Sequence, residues 1–80
     1  MKYKDAMTRV VKMMKGLCFT VEALEVGSID HRVLVDEIYD CAEVASCGFD
    51  PAIMESVKNR TSCCGLHDLI SEIEEEGMSV

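Results

Sequence analysis

The residues best suited to chemistry in this chain of 80 residues stand together at Cys63-Cys64-Gly65-Leu66-His67. On a helix, His67 lies one turn from both thiols, so its ring can meet either one. Thiolates with an imidazole suit zinc, and a thiol beside an imidazole is also a nucleophile–base pair. Structural zinc needs four converging ligands, and a set such as Cys18, Cys41, Cys63 and His67 would require three separate elements to converge. Cys41 and Cys47 on one helix would lie about 9 Å apart along the axis and roughly 120° apart around it. Cys18 stands alone, and paired C-x-x-C spacing is absent. Cys63, Cys64 and His67 are therefore kept as metal candidates behind a plainer expectation of structural thiols and no cofactor. Cys41 and Cys63 fall on apolar stripes and should pack as small hydrophobes. Cys64 falls off its stripe and is the candidate reactive thiol. His67 flanks the stripe and is expected to be partly buried and hydrogen-bonded.

Carboxylates form the second group: Asp36, Glu37, Asp40 and Glu43, then Glu72, Glu74, Glu75 and Glu76. Paired acidic helices can hold magnesium for nucleotide hydrolysis. Here Asp36, Asp40 and Glu43 fall opposite the apolar stripe of their helix, so the pattern predicts that they face water. A row of carboxylates on a rigid helix can instead imitate nucleic-acid phosphates and dock on a basic groove. On that reading the contact residues are Asp36, Asp40, Glu43, Glu72, Glu75 and Glu76.

The charge supports this direction. The net charge is −7, which argues against direct nucleic-acid binding and against an anionic membrane surface. It is unevenly spread: Lys2, Lys4, Arg9, Lys12 and Lys15 face only Asp5 in the first sixteen residues, whereas Arg32, Lys58 and Arg60 face fourteen acids in the rest. Such a chain can fold its basic helix onto its acidic ones or pair with a copy. No secretory core or membrane-spanning stretch is legible, so five cysteines imply a reducing cytoplasm and free thiols.

The elements that must hold these residues are helical throughout. The spacing predicts an all-α bundle of four to five short amphipathic helices, at about residues 2–15, 21–26, 31–46, 51–59 and 62–76, in one domain over 1–80 with a frayed tail at 78–80. Gly16 is read as the stop of the first helix, Asp30 as the cap of the third, and Thr61 or Ser62 as the cap of the last. The stretch from Leu17 to Val21 could also be extended, given Phe19, Thr20 and Val21. Asp50 and Pro51 open the fourth helix, and Gly48 and Gly77 close the third and last. With 49% hydrophobic residues but few aromatics, the core should be thin, and a homodimer or another partner would supply further burial.

The expectation is a small, acidic, non-enzymatic inhibitor or adaptor, of the size found in phage and mobile elements, that binds a protein with a basic, nucleic-acid-binding surface. One alternative is a dimeric helix-turn-helix regulator, with Gly48 in the turn and Ser56, Lys58, Asn59 and Arg60 on the reading helix. The other is a thiol-redox or zinc protein built on Cys63, Cys64 and His67.

Overall fold

The computed structural model describes residues 1–79; Val80 of the expected tail lies outside them. Four helices follow in order: α1 Tyr3–Glu22, α2 Ile29–Ser46, α3 Pro51–Arg60 and α4 Cys64–Glu76. The described residues form no strand beyond an isolated bridge, Lys2 to Ser79. The molecule is all-helical, as the periodicity predicts.

Helix length sets the architecture. α1 and α2, of 20 and 18 residues, run about 30 and 27 Å at 1.5 Å per residue. α3 and α4, of 10 and 13 residues, reach only about 15 and 20 Å. The long pair forms an antiparallel hairpin, and the short pair covers one end of it. The molecule is accordingly elongated, 40 × 22 × 18 Å. The covered end holds the core: Ala6 and Val10 of α1, Cys41 and Val44 of α2, Phe49, Met54 and Val57, and Leu66, Leu69, Ile70 and Ile73 of α4. The other end of the hairpin is a two-helix arm, where Phe19, Val26 and Ile29 stand exposed.

Three boundaries differ from expectation. α1 does not stop at Gly16 but continues to Glu22. A helical glycine costs about 1 kcal/mol relative to alanine, and half-buried Leu17 and Val21 keep the stripe going on the far side. Thr20 does not cap a new helix; its hydroxyl donates back to the Gly16 carbonyl at 2.9 Å. The expected helix at 21–26 therefore does not exist, and 17–21 is helical rather than extended. The chain turns instead at Gly27, whose φ of +87° is open to glycine at no steric cost. α2 then starts two residues early. Ser28 is its N-cap, accepting from the His31 N–H at 3.1 Å, and Asp30 sits in the first turn.

α4 starts at Cys64 rather than residue 62, with Cys63 as N-cap. Thr61 accepts from the Cys63 N–H at 3.2 Å, while the Ser62 hydroxyl donates to Glu37 on α2 at 2.9 Å. The end expected to fray is tied down through Ser79. Its carbonyl accepts from Tyr3 N–H and its own N–H donates to the Met1 carbonyl, both at 2.8 Å. The N-terminal ammonium donates to the Gly77 carbonyl, also at 2.8 Å.

Candidate functional site

The thiol–imidazole group lies where α3 hands over to α4. Cys63, as N-cap, turns its side chain inward and packs half-buried on the core, where its thiol meets that of Cys41. Cys64 and His67 are exposed on the first turn of α4. His67 is thus not the partly buried residue the stripe suggested: α4 directs Leu66, Leu69, Ile70 and Ile73 to the core, and His67 falls on the flank beyond them. A hollow of about 190 Å³ is lined by Thr61, Ser62, Cys63, Cys64, His67 and Asp68. Among the described residues, no group of three or more His, Cys, Asp or Glu side chains is placed to hold a metal ion. Cys18 is exposed, and Cys47 is half-buried with its thiol donating to the Val44 carbonyl at 3.2 Å.

Cys41 is fully buried. Burial, with the neighbouring Cys63 thiol and Asp40 adding to it, pushes its pKa up to about 12. It is a neutral packing group through the physiological range, not a nucleophile. An acid whose pKa is higher folded than unfolded stabilises the fold below the unfolded value and loses that contribution as pH rises towards the folded one. Between about pH 9 and 12, stability should therefore fall by up to about 1.4 kcal/mol per pH unit on account of this thiol. Urea unfolding of the wild type and of Cys41→Ala across that range checks it. The gap between the two proteins should shift in favour of the alanine variant as pH rises; parallel curves would show that this thiol is not the cause.

The carboxylates divide into engaged and free. On α2, Asp40 and Glu43 do not face water unaccompanied. Both bind Arg60 at the end of α3: its Nε donates to Asp40 at 3.2 Å, and its Nη2 donates to Glu43. The Asp40 side chain is only 13% exposed. These contacts with Glu43 and then Asp40 raise the Arg60 pKa further, keeping it charged. On α4, Glu72 pairs with Arg9 of α1 at 2.6 Å and Glu74 with Lys58 of α3 at 2.7 Å. The Lys58 hydrogen bond, foremost, lowers the Glu74 pKa.

Asp36, Glu75 and Glu76 remain exposed, and none of them is in an ion pair among the described residues. Asp68, not singled out as a contact from the sequence, belongs with them. It stands seven residues before Glu75, two helical turns, on the face of α4 opposite the buried Leu66 and Ile73. The helical period alone places Asp68 there. The engagement of Asp40, Glu43 and Glu72 depends on which cation the fold brings near, which periodicity does not carry.

No helix among the described residues is long and apolar enough to cross a membrane. Compared with known proteins, the chain matches no family model, and no curated protein or solved structure is significantly similar to it.

Proposed function

We propose that the protein is a small non-enzymatic binding protein, an inhibitor or adaptor, whose acidic helix face docks on a basic, nucleic-acid-binding surface of a partner protein in a reducing cytoplasm. The observation that carries this reading is the outer face of α4. Asp68, Glu75 and Glu76 are exposed there without an ion-pair partner among the described residues, and Glu72 stands between them. The unpaired Asp68 and Glu75 stand about 10 Å apart along a rigid rod, with Glu76 beside Glu75. Such a row attracts a lysine- or arginine-lined groove through the electrostatics that draws the groove to phosphates. On α2, Asp36 adds to the acidic surface, while Asp40 and Glu43 serve the fold first by holding Arg60.

The same pairing weakens the helix-turn-helix alternative. Lys58 and Arg60, the two cations of the would-be reading helix, are both engaged by carboxylates of their own chain. Phosphate contacts would require them to leave those partners. Saturable, sequence-dependent binding to duplex DNA near physiological salt would favour that alternative over the acidic one.

The direct test uses the protein as bait in extract of its native host, beside a variant carrying Asp68→Lys, Glu75→Lys and Glu76→Lys. The expected catch is a nucleic-acid-binding protein that is retained at about 0.1 M salt, released at about 0.5 M as screening shortens the range of the field, and displaced by its own nucleic acid. The triple variant should lose it. A partner held equally by the variant would eliminate this face.

A further inference from the structure

The apolar surface of α1 is wider than its own domain covers. Ala6 and Val10 are buried, while Met7, Val11, Met14 and Cys18 follow one another along an adjoining stripe at steps of four, three and four residues, with Met7 and Met14 half-buried against the core and Val11 and Cys18 exposed. Alternating steps of four and three are the seam spacing of two helices that pack along their length. Two open apolar depressions lie along this stripe and share Val11 and Lys15. One, of about 480 Å³, is floored by Tyr3, Met7 and Val11 and walled by Lys4, Lys12 and Lys15. The other, of about 470 Å³, continues through Met14, Cys18 and Phe19 to Glu22. Val11 is 37% exposed and Phe19 80% exposed, so the groove is open to solvent.

We propose that this seam binds the same seam of a second copy in antiparallel orientation, giving a two-fold dimer through α1. The charge along the helix selects the orientation. Lysines stand at the beginning and middle of the seam, Lys4 first, and a carboxylate, Glu22, stands at its end. Parallel pairing sets Lys4 against Lys4 on the seam. Antiparallel pairing, centred between Val11 and Met14, sets Val11 against Met14, Met7 against Cys18, and Lys4 beside Glu22 of the second copy. The two-fold axis makes each of these contacts twice.

Stripe length and spacing match by construction, which a foreign helix would have to reproduce. The inference rests on α1 and stands apart from the proposed role of the α4 acids.

Sedimentation velocity of the full chain under reducing conditions, from about 1 to about 300 μM, tests it against typical dimer affinities. A concentration-dependent dimer is expected. Val11→Glu should raise its Kd by about 30-fold or more, the loss typical of a central interface residue, with the helical circular dichroism unchanged because Val11 lies outside the core. Lys4→Glu and Glu22→Lys should each weaken the dimer, and the two together in one chain should restore it, since only the antiparallel register places these residues side by side. A monomer at every concentration overturns the proposal, including one that binds an acidic amphipathic peptide along the stripe. So does a dimer indifferent to Val11→Glu, or one that the paired substitution fails to restore.

Discussion

Replacing Leu69 by alanine is expected to lower the unfolding free energy by about 3–4 kcal/mol, the cost of a buried leucine whose surroundings cannot collapse into the gap. Leu69 is fully buried on the inner face of α4, in the cluster that joins α4 to α1, α2 and α3. An 80-residue domain holds only about 4–12 kcal/mol in total. The variant should therefore unfold at much lower urea or be partly unfolded without denaturant. Phe19→Ala removes a larger side chain but one that is 80% exposed, and should change monomer stability by no more than about 0.5 kcal/mol. Urea unfolding of both variants at low concentration measures the contrast. Equal losses would mean that the arm carries core packing and that the core is not where α3 and α4 cover the hairpin.

That concentration of stability at one end explains what the sequence shows and what it hides. Stripes that run into a clear stop are legible. Asp50 and Pro51 mark the start of α3, with the Asp50 carboxylate accepting from the Ala52 N–H at 2.9 Å, and Gly77 marks the end of α4. The four buried positions of α4 follow from helical period alone. Gly16 misleads because a glycine can be a stop or merely a weak helical residue. The difference lies in whether Leu17 and Val21 find α2 to pack on, which is tertiary information. Asp30 misleads because Ser28, two residues earlier, is an equally good cap, and the turn at Gly27 decides between them.

The candidate site was partly legible for the same reason. Exposure of Cys64 and burial of Cys41 follow from their places on a helical wheel. The fates of the acids do not, because they depend on cations distant in sequence. Arg60 reaches back 20 residues to Asp40 and 17 to Glu43, and Arg9 on α1 meets Glu72 on α4. Charge and helical period do not distinguish an engaged carboxylate from a free one. The fold separates those that brace helices from those left exposed, and places the most exposed acidic row on α4. It also separates two parts of the apolar stripe of α1, one buried and one only partly covered. That second division is invisible in a helical projection, because it depends on how many neighbouring helices there are and how far they reach.

Phe49→Ala is expected to cost about 3–5 kcal/mol, and Phe49→Gly no more than that and by up to about 1 kcal/mol less. Phe49 is 3% exposed and closes the covered end of the hairpin. Its ring meets Tyr3 edge-on, with centroids 5.5 Å apart and planes at 85°, a contact worth about 0.5–1.5 kcal/mol beyond its area. Both Gly48 and Phe49 are left-handed, with φ of +64° and +63°. The chain reverses there from α2 to α3, and the Phe49 N–H donates to the Val44 carbonyl at 3.2 Å. A side chain in this backbone region costs about 1–2 kcal/mol, which burial of the ring offsets. Alanine loses the ring and keeps the strain, whereas glycine loses the ring and releases it. At an ordinary buried site glycine is the worse replacement by about 0.5–1 kcal/mol; a positive φ reverses the order. Urea unfolding of the two variants decides the matter by their ranking. If alanine is the more stable, the ring is not held by a left-handed turn, and the reversal between α2 and α3 must be built another way.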